Sequence, residues 1–461
     1  MSIWRKRAAN APRSDSGLVR ALDTFDLVLL GIGAIVGAGI FVLTGVAAAT
    51  LAGPGIVVSF VLAGLACAFA ALSYAELAAA IGGSGSAYGY AYAAFGEIVA
   101  WLIGWDLILE YTVAVAAVAV GWSGYAYDAL AATGFALPVA LRPEAGEGGP
   151  FNVLAVLVIV ALGTLLAIGV RASARFNAAV VFIKLAAIGA FIAAAVAHTD
   201  MRNWQEFLPF GWQGVTAGAA LVFFAFIGFD AVSTAAEEAR DPQRGLPRGI
   251  VGSLLICTAL YICVAALLTL IAPYSSLNVA SPVSAALLSH GEEWAASLIA
   301  GGAIAGLASV MLVLYYGQTR ILLAMSLDGL LPRMFGDVHP RTHSPVKVVI
   351  LCGVVMALLA GLLPLGEIAE LVNIGTLAAF ALVCGGVVTL RWRHPELPRP
   401  FRVPFGPVIP ALGALSCLYL MSNLPAVTWL RFVVWMAAGL VVYFAYSHRH
   451  SRLAAEPELR S

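Results

Sequence analysis

The chain has 461 residues, of which 61% are hydrophobic and only 11% carry a charge, and its formal net charge at pH 7 is zero. Soluble domains carry a charge on about a quarter of their residues, so this composition excludes an ordinary soluble protein. A net charge of zero also argues against a nucleic-acid partner. The six cysteines lie in apolar segments without metal-ligand spacing, which predicts small buried side chains and no metal site.

Apolar stretches of about 20 residues recur along the chain, each long enough to cross a hydrocarbon core of about 30 Å. They predict an all-α integral membrane protein with twelve transmembrane helices. The predicted spans are residues 24–48, 55–80, 97–120, 151–170, 176–198, 215–238, 247–272, 295–319, 346–363, 368–390, 408–425 and 428–447. The corresponding divisions are an N-terminal tail (1–23), a core of ten spans (24–390), two further spans (391–447) and a C-terminal tail (448–461).

Positive charges are distributed unevenly between the predicted loops. If the N-terminus is cytoplasmic, the external segments hold only Arg142, Arg202 and Arg431. Every other lysine and arginine, apart from Lys184 inside a span, then falls on the cytoplasmic side. Short cytoplasmic loops of membrane proteins are enriched in these residues. The bias therefore supports twelve crossings and predicts that both termini are cytoplasmic.

The first span contains LLGIGAIVGAGIFVLTG, residues 29–45. Its glycines loosely imitate a dinucleotide-binding fingerprint, but that motif needs a βαβ unit and a later acidic residue, which this context lacks. Gly33 and Gly37 also form a GxxxG helix-packing face. Packing alone leaves the adjacent small residues Gly37, Ala38 and Gly39 unexplained, and these favour a helix that unwinds in mid-membrane.

Unwinding would give this segment a chemical use. The N–H groups at the start of the second half-helix lie at its positive end and can bind a carboxylate. Unwound carbonyls in a partner helix can accept an ammonium group. An amino acid could then be held by its backbone groups without any ionic side chain.

The sixth span has a matching feature, because FFAFIGFDAV places Gly228 beside Asp230 at mid-depth. Spans 1 and 6 run in opposite directions, and paired interrupted helices in inverted halves indicate the binding site of a secondary transporter. The halves would be spans 1–5 and 6–10. Asp230 would either cap the second half-helix, by accepting from the N–H of Val232 or Ser233, or face the substrate path.

Three aromatic residues of the same stretch, Phe224, Phe226 and Phe229, are typical of packing, although one of them could serve as a lid over a small pocket. Glu237 and Glu238 follow at the cytoplasmic end of the span. They would be either solvated or part of an ion pair that closes an inner gate.

Lys184 is the only lysine inside a predicted span, about 12 Å from its cytoplasmic end. This depth is too great for easy snorkelling to the interface. The residue is interpreted as a fixed cation replacing a sodium ion, as a proton carrier, or as one half of a structural ion pair. Glu110, near mid-depth in span 3, is its candidate partner. Asp106, four residues earlier, shares the same helix face.

The Gly- and Tyr-rich segment at residues 81–97 precedes span 3. It contains no cation and is predicted to form a short turn packed against the protein. Glu97 at its end is expected to be solvated at the membrane edge.

Four ordered motifs resemble the amino acid–polyamine–organocation superfamily, and most of all the bacterial members of its cationic amino acid transporter branch. The motifs are GIGAIVGAGIFVLTG, GGSGSAYGYAYAAFGE, GWDLILEY and FFAFIGFDAVSTAAEEARDPQRGLPRGI. The resemblance implies two inverted five-helix repeats of the leucine-transporter type, followed by two extra helices and working by alternating access. It departs from the animal members, which have fourteen spans.

The resemblance also implies roles for single residues. Ala38 and Gly39 match carboxylate-binding amides, and Lys184 matches a lysine that fills a sodium site of sodium-coupled relatives, which implies proton coupling. Glu110 and Asp230 match acidic positions linked to coupling or substrate binding. The ammonium-binding carbonyls match the backbones of Ile35, Phe224, Ala225 and Ile227.

Three functions are compatible with these features: a proton-coupled importer of L-amino acids in the bacterial cytoplasmic membrane, an amino acid exchanger, and a transporter-like sensor. An enzyme is not predicted, because the sequence shows no catalytic triad or metal cluster and implies no cofactor. A channel is disfavoured, since no span carries a regular ring of polar residues. The sequence leaves open whether the substrate is cationic or neutral, and which oligomeric state the protein has.

Overall fold

A computed structural model describes the chain at residues 19–81, 85–132, 134–135, 137–141, 151–279, 281–362, 365–424 and 426–452. In this part of the chain the regular structure is helical. The principal helices are α1 (Thr24–Ile35), α2 (39–52), α3 (Ile56–Ala80), α4 (Ser86–Ala94), α5 (Glu97–Ala132), α6 (Val153–Ile168), α7 (Val170–Val196), α8 (Gly211–Val222), α9 (Ala231–Thr234), α10 (Pro242–Ile271), α11 (Pro282–Leu288), α12 (Glu293–Leu327), α13 (Val346–Leu362), α14 (Leu365–Arg393), α15 (Val408–Ser422) and α16 (Ala426–Val442).

Eight helical segments among the described residues are long and apolar enough to cross a membrane. Four shorter apolar helices, α1, α6, α13 and α15, accompany them. The predicted all-α membrane protein is confirmed. The count of twelve crossings, the inverted repeats and the division at residues 24–390 and 391–447 stay predictions.

The segment Gly39–Ala80 has 42 residues and so would extend about 63 Å as one straight helix. That is twice the thickness of a hydrocarbon core. The chain turns at Gly53, whose φ of +59° suits a residue without a side chain, and Pro54 follows. The turn separates α2 from α3, at the boundary expected between the first two spans.

Several helices extend beyond their predicted spans. α5 continues to Ala132, past the predicted end at residue 120, and α12 continues to Leu327, past residue 319. Hydrophobic length marks the membrane thickness, whereas a helix continues for as long as its backbone hydrogen bonds are made. The third and eighth predicted spans are therefore shorter than α5 and α12.

The Gly- and Tyr-rich segment is not a turn, because residues Ser86–Ala94 form the buried helix α4. The expectation of a solvated Glu97 is also wrong. This carboxylate is completely buried and accepts hydrogen bonds from Tyr92 (3.0 Å), Tyr443 (2.9 Å) and Ser451. The last two donors follow α16, so the C-terminal end of the described chain is fastened to the start of α5.

Candidate functional site

Both predicted helix interruptions are present in the structure. α1 ends at Ile35 and α2 begins at Gly39; Val36 and Gly37 between them lie outside a helix, and Ala38 already has helical dihedral angles. α8 ends at Val222 and a short 3₁₀ turn and an irregular stretch precede α9. Gly228 lies in this stretch with a φ of +117°, a conformation that side chains disfavour.

The two interruptions touch each other. A Cβ atom added to Gly39 would lie 2.2 Å from the Cβ and 2.4 Å from the Cα of Ala225. A Cβ added to Gly228 would lie 2.7 Å from the Cβ of Ala34. Glycine at these two positions therefore lets the broken backbones come into direct contact.

The predicted packing face exists as well. Gly33 lies against Asn177 of α7, where an added Cβ would come within 2.2 Å of the amide oxygen. Gly37 lies against Val310 of α12, within 2.6 Å of a methyl group. Gly33 and Gly37 thus form the packing face, and the predicted break is present but lies at residues 36–37, slightly before the expected residues 37–39.

The first N–H groups of α2 are candidates for binding an anion. The N–H groups of Ile40 and Phe41 already donate to the carbonyl of Gly37, at 3.2 and 3.4 Å, so the candidates are the N–H groups of Ala38 and Gly39 just before them. The opening N–H groups of a helix lack intrahelical partners. Ala38 and Gly39, at this opening, line a cavity of about 20 Å³, which is enough for one water molecule.

Tyr261 of α10 joins the two interruptions through a single atom. Its hydroxyl lies 2.6 Å from the carbonyl oxygen of Ile35 and 2.9 Å from that of Ala225. Both carbonyls belong to the predicted ammonium-binding set, and a carbonyl oxygen has a second lone pair for a further donor. Tyr261 is an ordinary aromatic residue in an apolar span, so nothing in the sequence marked it.

Lys184 of α7 reaches the first interruption. Its ammonium donates to the carbonyls of Gly33 and Val36, both at 2.9 Å, and to the hydroxyl of Ser309 at 2.8 Å. These three bonds use all three donors of the ammonium group. The side chain is completely buried.

The predicted pairing of Lys184 with Glu110 is wrong. Neither oxygen of Glu110 has a hydrogen-bond partner in the described residues, and no salt bridge joins the two side chains there. The ionisable groups that act on Glu110 electrostatically are instead Asp230 and Asp106, both acidic. Counting residues along a span estimates how deep a residue lies, but it does not tell which neighbouring helix the residue faces.

Asp230 does not cap the second half-helix as one interpretation expected, because α9 has no side-chain cap. One carboxylate oxygen accepts from the N–H of Gly228 at 3.3 Å, and the other accepts from the hydroxyl of Tyr111. The positive φ at Gly228 turns that N–H back toward the carboxylate. Asp230 therefore holds the irregular segment itself and ties it to α5.

Asp106, Glu110 and Asp230 are all buried, with exposed fractions of 1%, 2% and 0%. Both oxygens of Asp106, like those of Glu110, lack a partner among the described residues. A buried carboxyl group without hydrogen-bond partners is energetically costly. The described residues contain no group of three acidic, His or Cys side chains arranged for a metal.

A second cavity of about 150 Å³ adjoins the interruptions and shares Ala38, Val118 and Phe224 with the small one. Phe224 thus lies between the two cavities. Phe226 packs against Phe60 and Tyr261. Phe229 packs against Tyr74 and Phe380, so of the three candidate aromatics Phe224 alone has the position of a lid.

The bundle is closed at the end that carries the N-terminal segment. Glu238 is completely buried, and Arg320 of α12 donates to its two carboxylate oxygens at 3.0 and 3.3 Å. Tyr316 also donates to Glu238, and the Arg320 guanidinium lies 4.3 Å from the centre of the Tyr316 ring. Of the two expectations for Glu238 the solvated one is wrong, whereas Glu237 is half-buried.

The N-terminal segment covers the same end through its backbone. The N–H groups of Ala21 and Leu22 both donate to the carbonyl of Glu238 at 2.9 Å. The N–H of Arg240 donates to the carbonyl of Leu22 at 2.9 Å. This backbone latch fastens the chain before α1 to the chain after α9.

Comparison with known proteins gives the family. The amino acid permease family model matches residues 22–446. The chain is 50% identical to the branched-chain amino acid permease BcaP of Bacillus subtilis (strain 168), over 98% of this chain and 99% of that protein. It is 48% identical to the methylthioribose transporter of the same organism, with the same coverage.

A more distant similarity reaches eukaryotic proteins. The chain is 38% identical to the vacuolar cationic amino acid transporter 4 of Arabidopsis thaliana, over 82% of this chain and 64% of that protein. These matches name transporters and no enzyme. The protein belongs to the amino acid permease family, within the amino acid–polyamine–organocation superfamily.

Proposed function

We propose that this protein is a secondary active transporter that moves L-amino acids across the bacterial plasma membrane by alternating access, as a proton-coupled symporter. Both termini would lie in the cytoplasm. The observation that carries the proposal is the contact between Gly39 and Ala225, which brings the opening of α2 against the broken backbone after α8. Anion-binding N–H groups and cation-binding carbonyls then meet at one place.

In this site the substrate carboxylate binds the N–H groups at residues 37–39. The substrate ammonium binds carbonyls of Ile35, Phe224, Ala225 and Ile227. Two of these four, those of Ile35 and Ala225, lie within hydrogen-bond distance of the Tyr261 hydroxyl and share its one proton, so each has a lone pair for the ammonium. The site thus needs no charged side chain to hold the substrate backbone.

Coupling rests on the buried ionisable groups. The Lys184 ammonium supplies a fixed charge to the first interruption, where a sodium ion would otherwise be coordinated by carbonyl and hydroxyl oxygens. Glu110 and Asp230 are acidic groups buried near the second interruption that can exchange protons with the transport path. A proton gradient would then drive the cycle without a metal ion.

The proposal is tested by uptake into proteoliposomes of the purified full chain. Each of the twenty amino acids, and methylthioribose, is offered with and without an inwardly directed proton gradient. Accumulation of at least one amino acid that rises with the gradient is expected. Accumulation of methylthioribose alone, or amino acid uptake indifferent to the gradient, would contradict the proposal.

The two other candidate functions give different results in the same vesicles. An exchanger would take up labelled substrate only when unlabelled amino acid is present inside. A sensor would bind its amino acid with negligible flux in either condition.

Substitution of Gly39 with alanine is expected to weaken substrate binding at least tenfold. The new Cβ would overlap the Cβ and Cα of Ala225, so the two interruptions must separate. Binding is measured by thermal-shift titration with the best substrate of the uptake panel. Gly124→Ala is the matched control, since a Cβ there meets nothing within 4 Å. Unchanged affinity in Gly39→Ala would refute this placement of the carboxylate.

Substitution of Tyr261 with phenylalanine is expected to lower both stability and uptake. It removes the one donor that the buried carbonyls of Ile35 and Ala225 share, a loss of about 1–3 kcal/mol. Tyr315→Phe is the matched control, because the hydroxyl of Tyr315 donates to the carbonyl of Val349, remote from the interruptions. Thermal melting in detergent should fall in both variants, whereas uptake should fall only in Tyr261→Phe. Equal uptake in the two would contradict a role for Tyr261 in transport.

A further inference from the structure

The larger cavity beside the interruptions, about 150 Å³ in volume, has an apolar wall. We name it the side-chain chamber. Its described lining comes from α2, α5, α8 and its continuation, α12 and α14. Characteristic members are Leu43, Val118, Leu221, Phe224, Leu307 and Asn373. Of the described lining residues Asn373 alone is polar, and none is charged.

The chamber opens from the place where an amino acid backbone would be held. It shares Ala38 and Phe224 with the small cavity at the start of α2. A substrate bound by its carboxylate at Ala38 and Gly39 therefore has the chamber as the adjoining space for its side chain.

The buried acidic residues are directed elsewhere. Both oxygens of Asp230 are engaged, by Gly228 and Tyr111. Glu110 and Asp106 are not among the residues that line the chamber. Among the described residues, no carboxylate is thus available to neutralise a charged substrate side chain in this space.

We propose that the chamber makes this protein selective for amino acids with uncharged aliphatic or thioether side chains, the size of leucine, isoleucine or methionine, over lysine and arginine. This inference rests on the transport function proposed above. An apolar cavity of about 150 Å³ is large enough to accept a benzene molecule, so a four-carbon side chain fits. A charged side chain would be buried there without a counter-ion, which is strongly unfavourable.

Asn373 does not alter this preference. Its amide oxygen is buried and lacks a hydrogen-bond partner among the described residues. The oxygen can accept one hydrogen bond, but an amide carries no charge and cannot neutralise a cation.

Gly121 of α5 offers a direct test of the chamber. It lines the cavity, and a Cβ placed on it meets nothing within 4 Å, so a valine fits the backbone and fills chamber space. Gly124, one turn later on the same helix, also has open space around its Cα but is not part of the lining. Both variants replace a glycine of α5 with valine, but only Gly121→Val places the new side chain in the chamber.

The experiment measures uptake of leucine, isoleucine, methionine, alanine, lysine and arginine by proteoliposomes of the wild type and both variants. The wild type should favour the first three over lysine and arginine by at least a hundredfold. Gly121→Val should reduce the leucine-to-alanine uptake ratio by roughly tenfold or more, since one methylene in an apolar pocket is worth about 10–200-fold. Gly124→Val should leave that ratio unchanged.

Two outcomes separate failure of this inference from failure of the proposed function. If no amino acid is taken up, the transport function fails. If amino acids are taken up but lysine or arginine is preferred, or if Gly121→Val leaves the ratio unchanged, transport stands and the chamber inference is overturned.

Glu370 precedes Asn373 by one helical turn, and its side chain lies outside the described residues. Arginine uptake by the wild type that is lost in Glu370→Gln would overturn the inference in the same way.

Discussion

Replacement of Lys184 with alanine is expected to abolish proton-driven accumulation of substrate and to leave substrate binding measurable. The ammonium group satisfies the carbonyls of Gly33 and Val36 and the hydroxyl of Ser309, and alanine leaves these three groups without their donor. The first interruption then loses the charge that holds its geometry. Uptake with an imposed pH gradient, compared with thermal-shift binding of the same substrate, measures the two effects separately.

Ser309→Ala provides a graded control for this prediction. The Ser309 hydroxyl accepts one of the three Lys184 bonds and itself lies 2.9 Å from the Gly33 carbonyl. Its removal should slow gradient-driven uptake but not abolish it, because the two carbonyl bonds of the lysine remain. Full accumulation by Lys184→Ala would show that this charge has no part in coupling.

Substitution of Glu238 with glutamine is expected to open the N-terminal end of the bundle. The change leaves the Arg320 guanidinium buried without its counter-ion, and breaking such a buried pair costs about 3–5 kcal/mol. Hydrogen exchange of the latch amides at Ala21, Leu22 and Arg240 reports the opening. Since each 1.36 kcal/mol corresponds to a factor of about ten, their exchange should accelerate on the order of 10²- to 10³-fold.

Two controls make this result specific. Glu238→Gln combined with Arg320→Met removes both charges and should restore much of the protection, because no buried charge is left unpaired. Arg202→Ala breaks an exposed ion pair with Asp200 and should change nothing at the latch. Unaltered exchange in Glu238→Gln would mean that the ion pair does not hold this end closed.

The positions of the helix interruptions could be predicted from sequence because their cause is local. Three consecutive small residues at 37–39 weaken a helix wherever it is placed, and so does a glycine beside an aspartate at 228–230. The burial of Lys184 could equally be predicted, because counting residues along one helix places it far from the ends of its span. None of these inferences required knowledge of a neighbouring helix.

The partners of these residues could not be predicted, since they depend on how the helices rotate against each other. Glu110 and Lys184 were expected to pair, but the bonds of Lys184 go to Gly33, Val36 and Ser309. Tyr261 and Ser309 occur in apolar spans where an isolated hydroxyl is unremarkable. Arg320 carried one available signal, because the apolar sequence ILLAM directly after it places the charge inside a helix.

The backbone latch at the N-terminal end is built from three N–H groups and two carbonyls, and no side chain takes part in it. Its strength is therefore independent of which side chains stand at residues 21, 22 and 240, as long as none is proline. Alanine in place of Arg240, whose side chain is exposed, would therefore be silent at the latch even though this contact must break whenever this end opens. The contribution of the latch is measured instead by deleting the segment before α1 or by replacing Leu22 with proline, which has no N–H group.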